Sequence, residues 1–196
     1  MQAALRVSRA IDVASRRLAH VVAWMTLGMI LVGAFNAVAR YLGTYIGVAL
    51  ASNAYLEAQW YLFSLVFLFG APYTLRSGGH VRVDVLYGGH KREAQAWIDL
   101  CGTVLFLLPF CAMATWYSWD LAAISWQERE NSSDPGGLLR YPIKAVLPAA
   151  FVTVALQGVS DAIKRVGILR GMSDEEVGLP EPTLEGPEPQ TEEVPS

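Results

Sequence analysis

The stretch from Glu57 to Arg76 constrains this chain most, because eighteen consecutive residues between them carry no charge. A helix of about 20 apolar residues spans the ~30 Å hydrocarbon core of a membrane. Eight residues of the stretch are Leu, Phe or Val. Together they favour insertion by about 2.4–4.8 kcal/mol, whereas a single central Arg opposes it by about 2.5–3.5 kcal/mol. The stretch therefore predicts a membrane-spanning helix, with Glu57 at its partly positive start and Arg76 at its partly negative end.

Three further uncharged runs predict three further spans. Hydrophobic residues make up 53% of the chain and charged residues only 17%, which is difficult to hide in a water-soluble domain of this size. The predicted fold class is an all-α membrane protein with four transmembrane helices and an amphipathic interfacial segment between the second and third. The spans lie at about residues 18–41, 56–75, 97–119 and 142–163.

Individual residues refine this layout. The first apolar run is longer than the apolar region of a signal peptide, which favours an uncleaved helix. Tryptophans mark both ends of the third run, as in an aromatic belt, and Pro109 within it predicts a kink or a close packing site. Gln157 is an amide inside the fourth and shortest run, where it is placed to hydrogen-bond to a neighbouring helix.

The loop after the second span has two interpretations. Alternation of apolar and polar residues from His80 to Val85 indicates a strand when taken in isolation. A lone strand at a membrane surface leaves its edges unpaired, so an interfacial helix that directs Arg82 and Asp84 to water is favoured. His80, Asp84 and His90 resemble a metal-ligand set, but a surface loop with two histidines is more often only a loop, so no metal is expected.

Charges at the span ends predict polar contacts. Arg40 leaves the membrane where Glu57 enters it, so the two either form an ion pair, contact a partner subunit or reach separately to the headgroups. Asp120 opposes the helix dipole at the end of the third span and needs a cation. Lys144 or Arg140, beyond the following loop, is the candidate.

Loop charges predict the orientation. Eleven Lys or Arg residues fall in the basic segment 1–17, the 76–92 loop and the end of the fourth span, against four on the other side. This split places both termini and the central loop in the cytoplasm. Residues 18–170 form the predicted transmembrane domain. Residues 171–196 are acidic and proline-rich, so a disordered cytoplasmic tail is predicted.

Motifs for catalysis or cofactor binding are missing from the sequence. It offers no His pair within the spans, no phosphate-binding glycine loop, no Ser/His/Asp set and no CxxC pair. No charge is expected at mid-depth in any span, which disfavours an ion-conducting path. The chain is therefore predicted to be a non-enzymatic partner of something larger, with membrane lipids but no nucleic acid among its contacts. A stand-alone small transporter or channel and a tetraspan redox protein remain as alternatives.

Three stretches resemble one family. EAQWYLFSLVFLFGAPYTLRSGGHVRVDVLY is similar to the second span and following loop of the small, DctQ-type membrane subunit of TRAP (tripartite ATP-independent periplasmic) transporters. NAVARYLG resembles the end of that family's first helix, and RYPIKAVLPAAFVTVALQGVSDAIKR resembles its fourth. The chain departs from the pattern at Gln59, where a second acid near Glu57 is often expected, and in its acidic tail.

The resemblance implies a function. The family's small subunit is a stationary scaffold for a large permease subunit, which takes up organic acids with sodium from a periplasmic substrate-binding protein. No cofactor is implied. Structural or subunit-interface roles are expected for the polar residues near the span ends, namely Arg40, Glu57, Arg76, His80, Arg82, Asp84, Asp120, Lys144 and Gln157.

Overall fold

The computed structural model describes residues 1–48, 50–78 and 89–179, and within these ranges the regular secondary structure is helical. This confirms the all-α class. The helices are α1 (Gln2–Ile46), α2 (Asn53–Arg76), α3 (Arg92–Glu128), α4 (Arg140–Leu169) and the short α5 (Asp174–Val177). An isolated β-bridge between Asn131 and Leu139 closes the loop from α3 to α4.

Three helices of the described ranges, α1, α3 and α4, are long and apolar enough to cross a membrane. The second predicted span coincides with α2, which is 24 residues long but is not one of these three. Polar side chains such as Gln59, together with Pro72 and several tyrosines, lower its mean hydropathy. The predicted interfacial segment falls on residues 79–88, which lie outside the described residues.

Contacts along the helices show that α1 and α2 run antiparallel. Near one end of α1, Phe35 stacks edge-on against Tyr55 at the start of α2, with ring centroids 5.2 Å apart. Towards the other end, the Arg76 guanidinium that closes α2 lies 3.6 Å from the Asp12 carboxylate. α2 therefore returns along α1, and it also packs against α4.

The second antiparallel pair consists of α3 and α4. Arg165 of α4 pairs with Asp99 near the start of α3 at 3.0 Å. At the opposite end, the rings of Trp126 and Tyr141 meet at 4.8 Å. We call the end of the bundle with Asp12, Arg76 and Arg165 the basic end, and the end with the α1–α2 and α3–α4 connections the loop end.

A wider turn interrupts α3. Residues Thr103–Leu107 form a π-helical turn, in which the Leu108 N–H donates to the carbonyl of Thr103. Pro109 follows directly, and its ring lacks an N–H and crowds the carbonyl one turn earlier. A π turn is a common way to absorb such a local mismatch. A change of helical pitch thus lies just before Pro109, where the sequence predicts a kink or a close packing site.

Burial in this bundle is inverted relative to a water-soluble protein. Trp24, Phe106 and Trp116 are 73%, 75% and 74% exposed, and many other large apolar side chains also face outward. By contrast, the largest fully buried side chains are Lys164 and Gln157. Exposed apolar surface of this extent needs a membrane or a partner to cover it, and the polar interior supplies the contacts between helices.

The described residues near both ends of the chain include helix that packs against the bundle. Residues 1–17, set apart as a basic segment, are part of α1, and Leu5 there is buried against α4 and α5. The segment 171–196 was expected to be disordered, yet Ser173 forms a capping box that starts α5. Val177 of α5 is 1% exposed. Its side chain lies so close to Gly167 that a Cβ added there would be 2.6 Å away.

Candidate structural and subunit-interface site

The most extensive polar site lies at the basic end, around the Asp12 carboxylate of α1. Its Oδ2 accepts a hydrogen bond from Lys164 Nζ at 2.5 Å. Its Oδ1 accepts from Gln157 Nε2 at 3.0 Å and from Ser160 Oγ at 2.9 Å. All three donors belong to α4 and are at most 1% exposed, so this one carboxylate ties α1 to α4 through three directional contacts.

Two serines extend the site along α1. Ser15 Oγ donates to Gln157 Oε1 at 2.6 Å, and the hydroxyls of Ser8 and Ser160 lie 2.7 Å apart. We call Ser8, Asp12, Ser15, Arg76, Gln157, Ser160 and Lys164 the Asp12 cluster. Helix association in lipid depends on such hydrogen bonds and close packing, because lipid tails are as apolar as the helix surfaces.

Regular spacing explains why these residues meet. Ser8, Asp12 and Ser15 lie four and three residues apart, and this places them on one face of α1. Gln157, Ser160 and Lys164 follow the complementary pattern on α4. Two polar faces that run antiparallel therefore match over about two helical turns.

The less exposed charges at the basic end are paired with one another. Arg76 lies 3.6 Å from Asp12, an ion-pair distance that is longer than a hydrogen bond. Arg165 contacts both Asp99 at 3.0 Å and Asp161 at 3.6 Å. With the Asp12–Lys164 pair, three carboxylates face three cations across α1, α2, α3 and α4. This pairing offsets the large cost of removing each charge from water.

A second polar site lies at the loop end, around Glu57 of α2. Its carboxylate is 3% exposed, and it accepts hydrogen bonds from the Ser132 hydroxyl and from the Leu138 backbone N–H. Two further contacts join α2 to the same loop, since Asn53 Nδ2 donates to the Pro135 carbonyl at 3.0 Å and the Tyr61 hydroxyl to Leu139 at 3.1 Å. We call the contacts of Glu57 with Ser132 and Leu138 the Glu57 clamp.

Gly137 leaves the space that the clamp needs. A Cβ at this position would lie 2.5 Å from Ser132 Cβ and 2.7 Å from Glu57 Oε2. Neither distance is tolerable for a carbon atom, so a side chain at Gly137 displaces the clamp or the loop. Gly137, noted in the sequence only as a turn residue, therefore has a packing role.

Glu130 anchors the start of α4 to the end of α3. Lys144 Nζ donates to its carboxylate, and Ser125 Oγ donates to Oε2 at 2.7 Å. The hydrogen bond from Lys144, followed by that from Ser125, lowers the pKa of Glu130 below its ordinary value of 4.5. The pair is thus fully formed above pH 4.5 and is lost only as the pH falls through the lowered pKa.

Some of the predicted site residues take part in the two polar sites, and others do not. Gln157 and Arg76 meet in the Asp12 cluster, and Glu57 forms the clamp. The described ion pairs do not join Arg40 to Glu57, and Arg40 is exposed on α1. His80, Arg82 and Asp84 fall outside the described residues.

The cation expected at Asp120 is used elsewhere. Lys144 pairs with Glu130, and the Arg140 guanidinium donates to Ser133 Oγ at 3.2 Å. Asp120 is exposed, and no contact of its side chain appears among the described residues. The reason is geometric, because Asp120 lies well before the end of α3 whereas both cations lie beside the loop.

Sequence reasoning missed Asp12, Lys164 and the serines around them. Asp12 was one acid in an N-terminal segment that was treated as separate from the first span, and Lys164 was counted only as a cytoplasmic charge. The available signal was the matched spacing of polar residues on the two helices. It becomes visible once residues 1–17 are read as a continuation of α1.

The fold and these contacts define an all-helical membrane protein whose buried polar residues hold its helices together at both ends. A family model described as "Tripartite ATP-independent periplasmic transporters, DctQ component" matches residues 29–167. The chain therefore belongs to the DctQ family of tripartite ATP-independent periplasmic transporter components. Searches of curated proteins and of solved structures give no match.

Proposed function

We propose that this chain is the small permease subunit of a TRAP transporter and that it scaffolds the large permease subunit. The observation that carries the proposal is the family match, which extends over residues 29–167 and so includes α2, α3, the C-terminal part of α1 and most of α4. The family is a transporter component, and it works with a large permease and a periplasmic binding protein. Both are the proposed partners of this chain.

The scaffold role is supported by the way the bundle is held together. The Asp12 cluster joins α1, α2 and α4 at the basic end, and the Glu57 clamp with the Lys144–Glu130 pair joins α2, α3 and α4 at the loop end. Packed buried contacts at both ends oppose sliding of one helix past another. A subunit built in this way suits a stationary support for a moving partner better than a moving element itself.

A fourth crossing by α2 is part of the proposal. Glu57 contacts the loop end and Arg76 contacts the basic end. At 1.5 Å per residue the helix between them covers about 28 Å, close to the ~30 Å of a hydrocarbon core. The lower mean hydropathy of α2 is tolerable because one side of the helix packs against α1 and α4 instead of lipid.

The remaining parts of the proposal rest on loop charges and on what the family resemblance implies. The excess of Lys and Arg at the basic end favours a bacterial inner membrane protein with both termini in the cytoplasm. Secondary transport by sodium symport, and an organic acid as the cargo, follow from the resemblance alone.

Co-purification tests the proposed assembly. The chain, tagged at its C-terminus, is expressed with the large permease subunit encoded beside it, and the complex is purified in mild detergent. We expect the large subunit to be recovered in a fixed ratio. Recovery of the chain alone, under conditions in which both proteins are made and inserted, would count against a subunit role and favour a stand-alone small transporter. A haem or flavin absorption band would favour a redox protein.

A further inference from the structure

The groove between α3 and α4 carries an acidic side chain that the proposed function does not use. We propose that this groove receives a membrane-spanning helix of the large permease subunit, and that a Lys or Arg of that helix pairs with Asp120. The inference rests on the proposed function, since it names how the small subunit recognises its partner.

Asp120 lies at membrane depth. It precedes the end of α3 at Glu128 by about 12 Å at the usual rise per residue. It lines the groove together with residues of α4 between Val152 and Val159, which belong to the charge-free run from Lys144 to Asp161.

The chain itself supplies no counter-ion to this carboxylate within the described residues. Its two candidate cations are taken up at the loop end, Lys144 by Glu130 and Arg140 by Ser133. A carboxylate left unpaired in hydrocarbon is costly. Intramembrane charges in proteins accordingly face a partner or a cavity.

The shape of the groove suits a helix. It has a volume of about 770 Å³, and its floor includes small residues, Cys111, Ala112 and Ala155, which let a second backbone approach closely. Trp116 and Trp119 flank it and are 74% and 64% exposed. Indole faces beside a carboxylate also attract a cation, through its interaction with the ring.

The charge of Asp120 favours a helix of the large subunit over a lipid chain or a second copy of this chain. A lipid chain in the groove leaves the carboxylate unpaired in hydrocarbon. A second copy of this chain, related by a two-fold axis, brings the same acidic surface to both sides of the contact, and like charges repel in this medium. A helix with one basic residue satisfies both the apolar groove and its single charge.

Photo-crosslinking tests which protein occupies the groove. Benzoylphenylalanine is placed at Trp116, and in a matched control at the neighbouring Tyr117, which is 70% exposed but does not line the groove. We expect the complex to crosslink to the large subunit from position 116 and at least about tenfold less from position 117. Equal yields from both positions, or products only with lipid or a second copy, would overturn the proposal.

Substitution of Asp120 tests the charge. Asp120→Asn should weaken recovery of the large subunit at least about tenfold, whereas Leu121→Asn, a polar change on a neighbouring exposed face, should leave it unchanged. Asp120→Lys should abolish recovery, and an acidic residue in place of the basic one on the crosslinked helix should restore it. Wild-type recovery with Asp120→Asn would overturn the proposal. Failure of the unaltered chain to bind the large subunit would instead reject the proposed function together with this inference.

Discussion

At the residue scale, the protein depends on a few buried polar side chains. Asp12 accepts hydrogen bonds from Lys164, Gln157 and Ser160. The Arg76 guanidinium is a fourth neighbour, with its Nε 3.6 Å from Asp12 Oδ2. A lone buried charge in such a place is costly, whereas a fully satisfied set is tolerated and fixes the register of the helices. The Asp12 cluster therefore determines how α1 and α4 are aligned.

Removal of one partner from this cluster should be more harmful than removal of both. Lys164→Ala leaves the Asp12 carboxylate buried without its closest cation, so we expect a loss of about 3–5 kcal/mol in stability. The double change Asp12→Leu with Lys164→Met should recover part of that loss. The measurement is thermal unfolding of the purified complex in detergent. Arg16→Ala, an exposed position on α1, is the control and should alter stability by no more than about 0.5 kcal/mol.

Equal losses for Lys164→Ala and the double change would contradict a charge-based role. They would indicate that the volume of these side chains matters and that their pairing does not.

At the element scale, the loop from α3 to α4 acts as a connector for three helices. Glu57 holds it to α2, and Glu130 holds it to α4 through Lys144. The sequence predicted that Asp120 would pair with Lys144 or Arg140 across this loop, because a carboxylate at a helix C-terminus opposes the helix dipole. It did not predict the pairs that form, since pairing depends on the rotation of each helix about its axis and on the loop path. Glu57 thus meets Ser132 instead of Arg40.

A side chain at Gly137 should disturb this connector. Gly137→Ala brings a Cβ to 2.5 Å from Ser132 and 2.7 Å from the Glu57 carboxylate. The loop must shift, and we expect a loss of about 1–3 kcal/mol, typical of overpacking. Gly102→Ala, in α3 with nothing within 4 Å of the added atom, is the matched control and should be neutral or slightly stabilising. Protease sensitivity of the 129–139 loop provides the measurement, and unchanged cleavage in Gly137→Ala would argue against the clamp.

The C-terminal segment should divide into two parts. Asp174 pairs with Arg92 at 2.5 Å, and Val177 packs into the apolar cluster with Leu5 and Ile168. A chain ending after Leu179 should keep these contacts and behave as the full chain does in thermal unfolding. A chain ending before Ser173 loses a buried Val, worth about 1.5–3 kcal/mol, and should unfold at a lower temperature. Identical unfolding of the two truncated chains would show that α5 contributes nothing.

At the scale of the whole molecule, the features that could be predicted are those determined by the surrounding membrane, namely which segments lack charge and form helices. Uncharged runs predicted the all-α class, because a charge in hydrocarbon is costly wherever it lies. Uncharged runs are less informative about α2, whose polar residues face other helices. They are also less informative about Asp120, whose position depends on how far α3 extends. The sequence predicted that Gln157 would bond to a neighbour, but it could not identify Asp12 as that neighbour.

Loop charges give a testable orientation. A reporter that is active only in the periplasm should work when fused near Ser132 and fail when fused near Gly89 or after Gly171. Basic residues cluster on the side of the last two positions. Activity at Gly89 would overturn both the orientation and the fourth crossing by α2.

The central claim is that this chain is a supporting subunit and that transport needs it together with the large permease. Sodium-gradient-driven uptake of a radiolabelled organic acid into proteoliposomes, with the cognate binding protein added outside, tests this directly. Three preparations are compared: the large subunit alone, this chain alone, and both together. We predict uptake only in the third, and only with an inward sodium gradient. Uptake by this chain alone, or full uptake by the large subunit without it, would contradict the account.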